Sequence, residues 1–317
     1  MKKRYVQKML TMVLTAAMIC SSVPVAAETV SENETAVTVD TAAKQETAEK
    51  PELEADEEAQ PEEAGETVEE ADAADMLETE DTEVENGKEG YLSYRIYQKP
   101  DETKYVEITE CDYDAKGAVE IPTKIKNIAV TSIGNGAFNE RTKLTSIEIP
   151  SSVTSIGERA FGDCSGLTSI EIPEGVTSIG SEAFSGCSGL TSIEIPAGVT
   201  SIEYLAFYGC SGLTSIEIPA GVTSIGSSAF YGCSRLTSIE IPAGVTSIGS
   251  SAFDGCSGLT SIEIPAGVTS IGESAFYDCS GLTSIEIPAG VTSIGESAFY
   301  GCSGLTSIEI PAGVTSI

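Results

Sequence analysis

The chain has 317 residues, with 49 acidic against 17 basic side chains, no His and no Trp, and its formal net charge is -32. The lack of His excludes Ser-His-Asp and Cys-His nucleophile pairs and any imidazole metal site. A chain this acidic also lacks the Lys and Arg surface on which nucleic acid binding depends. The composition therefore argues against most enzyme classes and against a nucleic acid partner.

The first 27 residues have the layout of a secretory signal peptide. Basic residues begin the chain, an apolar run follows from Met9 to Cys20, and small residues end at Ala27. The apolar run has about a dozen residues, whereas a membrane-spanning helix needs roughly 20. We predict cleavage after Ala27, so that the mature protein does not span the membrane and is secreted or held at the cell surface.

Residues 28–90 form an acidic segment without aromatic residues or cysteine. A segment rich in Glu, Asp, Ala and Thr repels itself and has too little apolar surface to offset the entropy of ordering. The pattern predicts a disordered spacer. An acidic arm that captures a basic partner is the alternative.

Residues 91–143 are predicted to be an N-terminal cap and a first, atypical repeat. Alternating runs at 91–98 and 104–111 are separated by a Pro-containing turn, which is typical of a β-hairpin. The later motifs Val119 to Pro122 and Val130 to Gly134 resemble one repeat with extra residues. Arg141 stands where later copies have Cys. Terminal coils of a repeat stack need a polar outer end, which this region would supply.

From residue 144 to 317 the sequence repeats with a period of 23 residues, and the last copy is incomplete. A fixed period of this size predicts a solenoid, in which each coil buries its apolar side chains only by stacking on its neighbours. We also expect the chain to be a fragment that stops within a copy. The copies open with Leu144, Leu167, Leu190, Leu213, Leu236, Leu259, Leu282 and Leu305.

Within one copy, Ile147 and Ile149 alternate with polar residues, which predicts a short strand with one buried face, ended by Pro150. Val153 and Ile156 predict a second short extended piece. The pair Ala160-Phe161 suits a single helical turn that places the ring in the interior. The expected fold is a right-handed stack with a parallel β-sheet, short strands and single helical turns.

The pattern L-x-x-I-x-I-P-x-x-V-T-S-I-G-x-x-A-F-x-x-C resembles the leucine-rich repeats of the BspA-like type, which occur in surface proteins of host-associated bacteria. The resemblance covers residues 144–317. It implies an exported, adhesin-like protein that binds extracellular or host-matrix proteins or other microbes, and it implies no enzymatic activity and no cofactor. A structural surface solenoid without a specific ligand is the alternative function.

Seven cysteines recur at the same point of each copy, so stacking places them in one column about 4.8 Å apart. That distance allows disulfides in an exported protein, but the number is odd and stacked Cβ vectors point in parallel. Small buried apolar residues are the favoured interpretation. Zinc is not expected because no Cys-x-x-Cys pair exists. The cysteines are Cys164, Cys187, Cys210, Cys233, Cys256, Cys279 and Cys302.

Two sets of residues are candidates for ligand binding. A column of glutamates on the outward side of the first strand predicts an acidic surface for a basic partner or loosely held cations, and a merely solvated face is the alternative. A glycan is a further candidate partner of the protein. Exposed tyrosines beside the repeated Phe are typical interface anchors, and Tyr204 with Tyr208 predicts an apolar contact patch unless it reflects repeat drift. The glutamates are Glu148, Glu171, Glu194, Glu217, Glu240, Glu263, Glu286 and Glu309; the tyrosines are Tyr204, Tyr208, Tyr231, Tyr277 and Tyr300.

Overall fold

The computed structural model describes residues 80–317, a part of the chain in which all regular elements are β-strands. The predicted signal peptide of residues 1–27 and residues 28–79 of the predicted spacer lie outside the described residues. The strands are β1 Thr82–Glu89, β2 Leu92–Gln98, β3 Lys104–Cys111, β4 Gly117–Glu120, β5 Lys124–Ile125, β6 Ile128–Ile133, β7 Leu144–Glu148, β8 Ser155–Ile156, β9 Ser169–Glu171, β10 Ser178–Ile179, β11 Ser192–Glu194, β12 Ser201–Ile202, β13 Ser215–Glu217, β14 Ser224–Ile225, β15 Ser238–Ile239, β16 Ser247–Ile248, β17 Ser261–Glu263, β18 Ser270–Ile271, β19 Ser284–Glu286 and β20 Ser293–Ile294.

Each complete 23-residue copy forms one coil with two short strands. The first strands pair in parallel from coil to coil, in the orders β4-β7-β9, β11-β13-β15 and β17-β19. The second strands pair likewise, in the orders β6-β8-β10 and β12-β14-β16-β18-β20. Identical residues lie opposite each other, as Ile147 does to Ile170 and Ile156 does to Ile179. The predicted repeat solenoid with a parallel sheet is confirmed.

The single helical turn predicted at Ala160-Phe161 is wrong, because this segment is a series of tight turns. The N–H of Gly162 donates to Arg159 O at 2.9 Å, whereas the N–H of Phe161 donates to Ala183 O of the next coil at 2.8 Å. Arg159 has a φ of 51°, which a right-handed helix does not accept. The amides that a helix would bond internally are used instead to join the coils.

The hairpin predicted in the cap is confirmed, since β2 and β3 pair antiparallel, with Gln98 opposite Lys104. Strand β3 then pairs in parallel with β6, so the hairpin continues the sheet of second strands. The spacer boundary at Gly90 is wrong, because β1 pairs antiparallel with β2. Seven of the eight β1 residues are exposed, so this edge strand is held by its backbone and carries no apolar pattern.

The core is a set of columns that run through the stack. In each inner coil the repeated Leu, Ile, Val, Ala, Phe and Cys side chains are buried. The phenylalanine rings stack from Phe138 to Phe299 with centroids 5.3 to 5.6 Å apart. A coil thus buries its apolar face against two neighbours, which is why no single copy can fold alone.

Candidate functional site

The eight predicted glutamates form one exposed column on the outer side of the first strands, which we call the Glu column. Parallel pairing places Glu194 opposite Glu217 and Glu263 opposite Glu286. Paired strands are about 4.8 Å apart, so the carboxylates within each set of paired strands stand at nearly regular intervals. The ion pairs found among residues 80–317 all use other carboxylates. The Glu column is therefore an array of exposed anionic groups free to pair with external cations.

The structure extends the Glu column by one residue that the sequence interpretation missed. Glu120 of β4 is exposed and lies opposite Glu148 of β7. The signal was present in the sequence, because Val119-Glu120-Ile121-Pro122 repeats the pattern of the later first strands. The five extra residues of the first repeat obscured this correspondence.

Four of the predicted tyrosines form two stacked pairs on the turn segment that follows the second strand. The ring centroids of Tyr208 and Tyr231 are 4.8 Å apart, and those of Tyr277 and Tyr300 are 5.0 Å apart. Tyr208 is 38% exposed and Tyr300 is 63% exposed, so each pair presents aromatic surface to solvent. These pairs belong to the turns and the Glu column to the first strands, so the two candidate sets occupy different sides of a coil.

Asp254 occupies the position between the two tyrosine pairs. Partial burial, followed by the nearby charge of Asp278, raises the pKa of the Asp254 carboxyl. The charge of Asp254 is in turn the main cause that raises the pKa of Tyr231. The turn side therefore combines aromatic rings with carboxylates and is suited to a cationic or hydrogen-bonding partner.

The cysteine column lies inside the stack and is not a ligand surface. All eight described cysteines, including Cys111, are free and buried, which confirms the interpretation as small apolar residues. Each repeat Sγ donates to the carbonyl of a Phe in the preceding coil, as Cys164 does to Phe138 O at 3.0 Å. Burial raises the pKa of the Cys164 thiol to about 12. A thiol of this kind is a poor nucleophile and a poor metal ligand.

The coil that begins at Leu190 differs from the others on its turn side. Glu203 replaces the Gly that follows the second strand in the neighbouring copies, and the next residue, Tyr204, is 50% exposed. Tyr208 lies in the same coil, so the predicted patch of Tyr204 and Tyr208 is exposed as expected. Its role in binding stays a prediction.

Across residues 80–317, no three Asp, Glu or Cys side chains are grouped so as to hold a metal ion. The same part of the chain includes no helix of the length and apolarity needed to cross a bilayer.

Comparison with known proteins identifies the repeat. Residues 131–260 and 223–317 match the family described as the BspA type leucine rich repeat region, with six copies. No functionally curated protein matches the chain. The family is an interaction scaffold and indicates no catalytic chemistry.

Solved structures of bacterial leucine-rich repeat proteins are similar to this chain. A leucine-rich repeat protein of T. pallidum is 30% identical over 68% of this chain and 88% of its own, with a TM-score of 0.47. A leucine-rich cell surface protein of Faecalibacterium prausnitzii is 25% identical over 72% and 95%, with a TM-score of 0.31. The pneumococcal vaccine antigen PcpA is 22% identical over 74% and 78%, with a TM-score of 0.46. On the match of its repeats, the chain belongs to the BspA-type leucine-rich repeat family.

Proposed function

We propose that the protein is an exported, adhesin-like binding protein that engages basic regions of extracellular or host-matrix proteins at the bacterial surface. The Glu column carries this proposal, because it presents exposed carboxylates in register on paired strands, and the ion pairs among residues 80–317 use other carboxylates. Lysine and arginine side chains of a partner can pair with several of these groups at once. The stacked first strands present these carboxylates along one side of the coils.

Family and sequence support the location. BspA-type repeats and a cell-surface neighbour suggest an extracellular protein. The predicted signal peptide of residues 1–27 agrees with that setting. Deletion of residues 2–27 should retain the protein inside the cell, and fractionation of cells that express either chain would measure this.

The test of binding is charge reversal at three adjacent members of the Glu column, Glu217→Lys, Glu240→Lys and Glu263→Lys together. We expect the full chain to bind at least one member of a panel of purified extracellular-matrix proteins, and the triple variant to bind at least about ten-fold more weakly. Biolayer interferometry at about 50 and 300 mM NaCl should also show weaker binding at the higher salt concentration, because exposed charge pairs are screened.

The matched control reverses the same number of charges elsewhere. Glu140, Glu273 and Glu296 are exposed and lie outside the Glu column, so their combined substitution by Lys should leave the affinity within about two-fold. Equal losses in both variants would show a dependence on net charge alone. Failure of the full chain to bind any panel member at either salt concentration would favour the structural solenoid without a specific ligand.

A further inference from the structure

One position of the repeat explains a local break in the stack. The residue that follows the second strand is Gly in the neighbouring copies, and Glu203 takes its place in the coil that begins at Leu190. A Cβ atom added at Gly180 would lie 2.6 Å from Glu158 N, and one at Gly249 would lie 2.5 Å from Ser227 N. Both contacts are with backbone of the preceding coil, which cannot rotate away. A side chain at this position therefore needs the two coils to separate.

The hydrogen bonds show that the coil beginning at Leu190 is separated from the coil beginning at Leu167 along their second strands. The Gly at this position elsewhere donates to the preceding coil, as Gly180 N–H does to Ile156 O at 2.9 Å and Gly226 N–H does to Ile202 O at 2.8 Å. Within residues 80–317, Glu203 N–H makes no such bond to Ile179 O, and Thr200 N–H makes none to Thr177 O. The sheet of second strands is interrupted at the same place, between β10 and β12.

The opening is confined to the strand sides of the coil. The first strands β9 and β11 do not pair with each other either, and Thr191 N–H lacks the bond to Thr168 O that the equivalent residues of neighbouring coils have. On the turn side the bonds remain, as Glu182 N–H donates to Tyr204 O at 2.8 Å and Gly186 N–H donates to Tyr208 O at 2.7 Å. Glu203 thus acts as a wedge between two coils that stay joined along their turns.

The wedge borders a crevice on the side of the second strands. It is lined by hydroxyl and carboxylate groups of Glu158, Ser178, Ser181, Thr200, Ser201 and Glu203, and no Lys or Arg is among its lining residues. The Ser201 hydroxyl donates to Glu203 Oε1 at 2.5 Å. The unpaired backbone groups of the separated strands lie along the same crevice. It therefore offers donors and acceptors together, without the positive charge that an anionic ligand requires.

We propose that this crevice binds a neutral, hydroxyl-rich ligand, a sugar unit of a glycan. Sugar hydroxyls can donate to the two carboxylates and to the free strand carbonyls, and can accept from the free amides and the serine hydroxyls. This site is separate from the Glu column and goes beyond the proposed function.

The test replaces Glu203 by Gly, the residue at the equivalent position of the neighbouring copies, in the full chain. The probes are cellohexaose, maltohexaose, mannohexaose and chitohexaose, with binding measured by isothermal titration calorimetry. We expect the unsubstituted chain to bind at least one of them, and Glu203→Gly to weaken that binding at least about ten-fold. Glu194→Gln, in the same coil but on the Glu column, should stay within about two-fold.

Two further readouts keep the proposal falsifiable. In Glu203→Gly the coils can close, so amide hydrogen exchange should slow at Thr200 and at position 203, and the melting temperature should rise. The triple Lys variant of the Glu column should keep its oligosaccharide binding even if it loses the matrix protein. The proposal is overturned if no probe binds, if Glu203→Gly binds as well as the unsubstituted chain, or if exchange at these amides stays unchanged.

Discussion

At the scale of single residues, the repeat cysteines are buried because each occupies the same interior position of its coil. Their thiols are buried beside the phenylalanine stack, and burial raises the pKa of each repeat cysteine, to about 12 for Cys279. Because a raised pKa disfavours the thiolate in the folded state, these thiols should stabilise the fold fully below the unfolded pKa of about 8.5. That contribution should be lost as the pH rises towards the folded pKa.

Thiol labelling should therefore depend strongly on folding. At pH 8, we expect the repeat cysteines of the native protein to react with iodoacetamide at least about a hundred-fold more slowly than in guanidinium chloride, because each unit of raised pKa removes about nine-tenths of the thiolate. Mass spectrometry of peptides over a time course would measure both rates. Fast labelling of Cys210 or Cys233 in the native protein would contradict the buried column.

Arg141 is a second residue whose role depends on where the fold places it. Its side chain is 4% exposed, its Nε–H donates to Cys111 O, and its guanidinium lies 3.7 Å from the ring centroid of Tyr113. The repeat cysteines reach back to the preceding coil in the same way. Arg141 thus joins the first coil to the hairpin of the cap.

Removal of this contact should destabilise the cap. We expect Arg141→Ala to lower the free energy of unfolding by about 1–3 kcal/mol, because a buried carbonyl loses its donor. Urea unfolding followed by circular dichroism would measure the change. The exposed Arg235 is the control, and Arg235→Ala should change stability by less than about 0.5 kcal/mol. Equal effects of the two substitutions would refute the role given to Arg141.

At the scale of the coil, the Gly after the second strand decides how closely two coils approach. Its N–H bonds the preceding coil, and the space for a Cβ is occupied by that coil's backbone. The naturally substituted coil at Glu203 shows the consequence of filling this space, which is loss of the pairing of both its strands with those of the preceding coil. Most of the coil follows from residue periodicity, but this spacing limit does not.

A side chain at another of these Gly positions should therefore separate a second pair of coils. We expect Gly249→Glu to lower the free energy of unfolding by about 1–3 kcal/mol through steric overlap and lost hydrogen bonds. Hydrogen exchange should become faster at Thr246 and at position 249. The neighbouring substitution Ser250→Glu, at an exposed position, should leave both measurements nearly unchanged. Unaltered stability and exchange in Gly249→Glu would show that the stack tolerates a side chain at this position.

At the scale of the whole molecule, the same geometry that repeats the core also repeats the charge. Carboxylates of adjacent coils repel one another, and in water each neighbouring pair costs less than about 1 kcal/mol. Salt reduces this repulsion because the Debye length falls from about 30 Å at 0.01 M to about 3 Å at 1 M. The Glu column should thus lower the stability of the free protein while leaving its charges available to a partner.

Neutralising three residues of the Glu column should therefore stabilise the free protein. We expect the variant Glu217→Gln, Glu240→Gln and Glu263→Gln to melt at a higher temperature than the unsubstituted chain in about 10 mM NaCl, with a difference that shrinks in about 500 mM NaCl. Differential scanning calorimetry at both salt concentrations would test it. A difference independent of salt would assign the effect to something other than charge repulsion.

The sequence by itself determined the period, the buried positions, the column of glutamates and the cap hairpin, because a strict repeat converts residue spacing directly into position in a stack. Its prediction of a helical turn failed because the amides of that segment bond to the next coil, a contact that no local pattern contains. The edge strand β1 escaped notice because its exposed side chains carry no alternation. Only the tertiary structure decided that Glu203 separates two coils, since the steric limit at that position comes from the backbone of a neighbour 23 residues away.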